Sequence, residues 1–212
     1  MGARETINEI VALDDKIAKL REQFATFSGS ERASVLGEIF KEEIRKLGDR
    51  DALKPKLFRV IEMLSELDVS DAPRILGQGL EHDNPDLRML CADGLVEIGG
   101  DGIDRLMPLV EEALSSGGPK AEEMPFVVAE LDDPKVGKIL MRFLELKDIN
   151  AVAAAIQALA ERCEASALPS LKKLEKDKRM VTYDDGCDEG EQCTIGELAK
   201  DAIEMIESEE EE

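Results

Sequence analysis

Residues 83–114 read DNPDLRMLCADGLVEIGGDGIDRLMPLVEEAL, and the fold follows from how that stretch divides. Asn84 stands where a helix cap belongs, Pro85 takes the first helical position, and Gly99–Gly100 end the run. Between them Leu87, Leu90, Cys91 and Leu95 recur at three- and four-residue spacing, which marks one apolar helix face. Beyond the paired glycines a leucine-rich helix follows, carrying Pro108. Two helices joined by a short polar turn cannot cover their own apolar faces, so the unit needs neighbours of its own kind.

Such neighbours lie on both sides. A proline-bearing helix opens each pair: Pro73 in DAPRILGQGL, Pro108, Pro134 in DDPKVGKILMRFLEL and Pro169 in SALPSLKKLEKD, at spacings of 35, 26 and 35 residues. Second members are the 83–100 segment, KDINAVAAAIQALAERC with Asp148 as its cap, and TIGELAKDAIEMIE. In PKAEEMPFVVAEL, Pro125 is expected to delay or kink the helix. Ala153, Ala154, Ala155, Ala158 and Ala160 read as packing residues that let helices approach closely, rather than as the lining of a cofactor cleft. Self-similarity at about 30–35 residues points to stacked units rather than a bundle.

Residues 83–114 and 148–174 (DINAVAAAIQALAERCEASALPSLKKL) resemble bacterial HEAT repeats: a turn aspartate, a small-residue helix, then a leucine-rich helix with proline. Arg88 matches the usual arginine position of that repeat in one unit only. The resemblance covers roughly residues 70–207. It implies an all-α fold, a right-handed α-solenoid of HEAT-like helix pairs over 69–207. Separately, MVTY at 180–183 has β character and the sequence around Gly186–Gly190 has turn character, so a small hairpin-like insertion is expected near 180–194. Within the repeats that insertion takes residues 180–193. Residues 1–68 fit less well and are expected to form an N-terminal helical cap. There Ile7, Ile10, Leu13, Ile17, Leu20 and Phe24 trace one apolar stripe, and Ser28 and Glu31 have capping-box spacing. Gly48 reads as a stop, and a third helix is expected from Asp51 to about Leu67 with Pro55 in its first turn. Residues 208–212 form an acidic tail.

Charge narrows the partners. The net charge is −21, with 17 acids against 7 bases over residues 151–212. Such a chain repels nucleic-acid phosphate, and with no tryptophan and one tyrosine it has little on which to stack bases. No apolar run approaches the ~20 residues of a membrane span, and the first helix-like segment carries charges throughout. Gly2 and Thr6 have the spacing of an acylation signal, but no basic cluster adjoins them. A cytoplasmic chain with free thiols and no membrane attachment is expected.

Chemistry is sparse. The lone histidine, His82, sits at a helix end beside Asp83, where a protonated ring would suit the helix dipole better than a catalytic role. Cys91 lies on the apolar stripe, and Cys163 ends the alanine-rich helix. DDGCDEGEQC at 184–193 fails as an EF-hand, because Glu189 and Ile195 stand where glycine and glutamate are required. It also lacks four zinc ligands. Three readings of Cys187 and Cys193 stay open: incidental thiols in a solvated insertion, a reversible disulfide across a hairpin, or a metal site. Neighbouring carboxylates raise thiol pKa and argue against a fast redox sensor.

These observations favour a non-catalytic protein–protein interaction scaffold or adaptor, without cofactor or metal, working on a protein partner with a basic surface. In the repeats this chain resembles, second helices line a concave face where partners bind. Helical spacing places Met89, Asp93, Glu97, Gln157, Glu161, Glu197, Lys200 and Glu204 on the outward side of those helices. The alternatives are a HEAT-like phycobilin lyase, and a thiol or metal sensor built on Cys187 and Cys193.

Overall fold

The computed structural model describes residues 2–100, 102–183 and 191–209. It is dominantly helical: α1 (Ala3–Ala25), α2 (Gly29–Ile44), α3 (Pro55–Ser65), α4 (Asp71–Gly77), α5 (Pro85–Gly99), α6 (Met107–Ser116), α7 (Pro119–Ala129), α8 (Val136–Phe143), α9 (Ile149–Glu161), α10 (Leu168–Leu174) and α11 (Ile195–Glu209). Strands β1 (Met180–Tyr183) and β2 (Glu191–Thr194) pair antiparallel, Met180 opposite Thr194 and Val181 opposite Cys193. The expected hairpin-like element at 180–194 is therefore present as these two paired strands.

The caps read from sequence are in place. Ser28 and Glu31 exchange bonds across the start of α2, and Asp148 accepts from Asn150 and Ala151 at the start of α9. Two boundaries differ from expectation. α3 begins at Pro55, because residues 48–51 close a turn in which the Gly48 amide donates to Asp51 Oδ2 at 2.9 Å. Helix α7 runs through Pro125 without a break, held between α5 and α9 on either side.

Alternate helices pack on one another: α3 on α5, α5 on α7, α7 on α9, and α9 on α11. The intervening helices pack against these, with α4 against α3, α5 and α6, α8 against α7 and α9, and α10 against α11. A continuous core runs among them, with Leu64, Leu76, Leu95, Leu106, Val128 and Phe143 in it. Where α11 starts, backbone lies close against backbone. A Cβ on Gly196 would come within 2.6 Å of the Glu175 carbonyl oxygen, and the Gly196 amide donates to Asp177 O at 3.0 Å.

Several polar links each span about one sequence repeat. Arg105 donates to Leu67 O at 3.1 Å, Arg162 to Ala129 O at 2.5 Å and Leu131 O at 3.2 Å, and Arg179 to Lys147 O at 3.3 Å. Each guanidinium reaches 31 to 38 residues back to carbonyls near the end of an earlier helix. Those carbonyls have no intrahelical donor, and a cation there also meets the negative end of the helix dipole. Arg88, at the position the repeat resemblance singles out, instead binds His82 O at 3.0 Å and Glu123 at 2.8 Å.

Asn84 joins the N-terminal helices to the rest. Only 1% exposed, it accepts from the Leu87 amide at 3.0 Å as the α5 cap. Its amide donates to Gly48 O and Asp51 O, both at 2.9 Å. Removing it deletes a cap and orphans two carbonyls in a buried place. Asn84→Ala should cost about 2–4 kcal/mol in chemical denaturation. Asn84→Asp restores the cap acceptor but turns a carboxylate toward two carbonyls, so it should recover less than half of that loss.

Candidate functional site

Nine of the ten residues 151–160 of α9 are buried, and Gln157 is the half-buried one. One turn later Glu161 is exposed on the same strip. Facing this strip, α11 begins with a capping box that the TIGE sequence signals. The Thr194 amide and hydroxyl both donate to Glu197 at 2.8 Å, and the Glu197 amide returns a bond to Thr194 Oγ1 at 3.1 Å. The Thr194 backbone amide, then its hydroxyl, hold the Glu197 carboxyl below its ordinary pKa.

Between these helices lies a groove of about 580 Å³. Ile156, Ala160, Leu198 and Ala202 give it an apolar lining, Glu161, Glu197 and Asp201 an acidic one, and Met205 stands beside it half exposed. Gln192 and Cys193 of β2 close it on one side. Chemically the groove suits a ligand with an apolar ridge flanked by positive charge. His82, the lone histidine, is not among its lining residues.

Of the eight residues expected on the outward face, Gln157, Glu161 and Glu197 meet in this groove. Lys200 and Glu204 are exposed on α11 outside its lining. Met89, Asp93 and Glu97 are exposed on α5, separated from the groove by α7, and Glu97 accepts a bond from the Ser65 hydroxyl of α3. Sequence reasoning missed what α7 adds between them. Glu123 binds Arg88 of α5 at 2.8 Å, and Glu122 accepts from Asn150 of α9 at 3.0 Å. Pro125 obscured the periodicity of α7. Leu198, Asp201 and Met205 were also missed, although their mutual i, i+3 and i+7 spacing puts them on one face of α11.

His82 is wired structurally. Its Nδ1 accepts from the Asn84 amide at 3.0 Å, and its Nε2 lies 3.1 Å from Ile44 O. Cys163 takes a left-handed conformation, φ 49°, just past α9. There the Glu164 amide reaches Leu159 O at 3.0 Å and the Cys163 amide reaches Ala160 O at 2.9 Å, closing the helix. Cys193 is half-buried and pairs across the ladder with Val181. Cys187 and the acidic run around it lie outside the described residues, so the proposed Cys187–Cys193 pairing does too. Among the described residues no three His, Cys, Asp or Glu side chains gather as a metal site, and no helix is long and apolar enough to cross a membrane.

No protein-family model matches the chain, and no curated protein matches it either.

The thiols differ sharply in setting. Cys91 is fully buried, and burial pushes its pKa far up. In native protein treated with an alkylating reagent, peptide mapping should find Cys163 and Cys193 modified well before Cys91. Cys91 should react only once the chain unfolds. Comparable labelling of Cys91 under native conditions would mean that the α4–α5 core is open.

Proposed function

We propose that this chain is a non-catalytic protein-interaction module, a right-handed α-solenoid of HEAT-like helix pairs acting as a scaffold or adaptor in the cytoplasm. Its partner presents a basic amphipathic helix to the groove between α9 and α11. The observation that carries this reading is the composition of that groove, apolar residues set beside Glu161, Glu197 and Asp201, on a surface where predicted outward residues converge. Helices recognised in this way lay an apolar ridge into a groove and set their charges along its edges. The solenoid reading is supported by the row of alternate helices and by polar links that each span about one sequence repeat.

The groove excludes the wrong partners by charge. An acidic helix meets like charges on its flanks, and a polar one leaves Ile156, Leu198 and Met205 uncovered. Association with a basic helix is steered by the field of a chain carrying −21 net charge, and weakens as salt screens it beyond ~10 Å at 0.1 M.

Panning a displayed library of helical peptides against the chain tests this. Selected sequences should carry Lys or Arg flanking apolar residues at i, i+4 and i+7. Their affinity should fall on the order of tenfold or more in Glu161→Lys/Asp201→Lys, and again in Met205→Glu. Glu197 is left intact in these variants because it caps α11. Selection of acidic peptides, or ligands indifferent to these changes, would move the interface elsewhere.

A further inference from the structure

Helix α1 is the part of the fold that nothing covers. Every residue from 11 to 23 is exposed, yet Leu13, Ile17 and Leu20 follow three- and four-residue spacing along one side, at 57%, 47% and 52% exposure. Ile7 and Val11 continue the apolar surface toward its N-terminus, at 59% and 54%. Toward its C-terminus α1 turns in to the body at Phe24, which packs on the core beneath the Arg32 guanidinium, 5.7 Å from the ring centre.

Where α1 leaves the body it forms one wall of a second groove, of about 540 Å³. Ile17, Leu20 and Phe24 line one side and Met63 and Leu67 the other. Unlike the acidic surface elsewhere, this groove is bordered by Arg21, Arg32 and Arg59, with Glu66 as the only acid among its lining residues. Arg32 Nε is buried there with no hydrogen-bond partner among the described residues, a state that a donor nitrogen rarely keeps.

The complement is in the same helix. Residues 3–15 of α1 carry Glu5, Glu9, Asp14 and Asp15 against Arg4, whereas residues 16–25 carry Lys16, Lys19 and Arg21 against Glu22. The N-terminal half is thus an acidic, apolar-striped helix, and the C-terminal half belongs to a basic, apolar groove. The two halves cannot meet within one continuous helix. They can meet between two copies.

We propose that α1 pairs antiparallel with α1 of a second copy of this chain, the acidic half of each helix lying in the arginine-bordered groove of the other. The contact is made twice around a two-fold axis, so it closes at a dimer and does not propagate. It covers the aliphatic stripe, supplies carboxylates to Arg32 and its neighbours, and puts opposite charges side by side along both helices. A parallel pair would set acid against acid and base against base. An anionic lipid surface would meet a chain of net charge −21 through a helix carrying both signs. This inference concerns the opposite end of the chain from the partner groove and stands apart from it.

Analytical ultracentrifugation of the full chain over a range of concentrations tests it, with vesicles of anionic lipid as a parallel arm. The wild-type chain should sediment as a dimer. Ile17→Glu/Leu20→Glu should weaken association on the order of 1,000-fold, since burial of each of the four lost aliphatic side chains is worth a factor of about ten or more. Both positions are exposed, so the helical circular dichroism should not change. Glu9→Lys alone should weaken the dimer severalfold, and adding Arg21→Glu should restore it. Restoration is specific to the antiparallel arrangement. A monomer at every concentration, a dimer indifferent to Ile17→Glu/Leu20→Glu, a failure of the charge swap to restore pairing, or vesicle binding in place of dimerisation would each overturn the proposal.

Discussion

The rest of the structure depends on how closely α9 lies against its neighbours. A helix pair in this chain has too much apolar surface to hide within itself, so stability comes from the contact between one pair and the next. In α9 alanines take up much of the buried surface, and Ala153, Ala155, Ala158 and Ala160 belong to the continuous core. Ala151, Ala154 and Ala158 share a face at i, i+3 and i+7, away from the groove-lining Ile156 and Ala160, and all five are buried or nearly so. Short side chains let backbones approach, at the cost of leaving no tolerance for a larger one. The same closeness leaves α9 only a narrow solvent strip, and this is why Gln157 and Glu161 face the groove.

Polar bonds then set the alignment that apolar packing leaves loose. Arg105, Arg162 and Arg179 donate to carbonyls one unit back, Arg142 forms a two-pronged pair with Glu111 at 2.7 Å, and Lys172 meets Glu207 at 2.8 Å. Lys120, 3% exposed, is held by Glu112 at 2.7 Å and Glu81 at 2.9 Å. Burial works against its charge, but the two carboxylates outweigh that and hold its pKa above the ordinary value. The exposed Arg142–Glu111 and Lys172–Glu207 pairs each contribute little. The carbonyl-binding arginines matter more, because they satisfy acceptors that the helices leave open.

Much of this was legible in the residues. Caps at Ser28, Asn84 and Asp148 are local chemistry, written within three or four positions, and each is found where the sequence places it. The paired strands at 180–183 and 191–194 were announced by MVTY followed by a glycine-containing turn. What could not be read was long-range or compensated. Helix α7 hid behind Pro125, since a proline's local cost says nothing about packing on both sides that outweighs it. The arginine links join residues more than thirty positions apart, and no local pattern marks their acceptors. On α1 the periodicity showed an apolar stripe without showing whether the chain itself covers it. For the partner groove, Gln157, Glu161 and Glu197 followed from helical spacing, while the joining of α9 to α11 around an apolar floor needed the fold.

The close approach of α9 to the helix behind it is therefore the claim to test first. Ala158 is fully buried on the face away from the groove. Ala158→Leu keeps helix propensity and adds apolar surface, so only the packing changes. Chemical denaturation should show the variant less stable by about 1–3 kcal/mol, the usual cost of overfilling a packed interior. Unchanged or increased stability would mean that there is room beside α9, and that the alanines are not what holds the helices together.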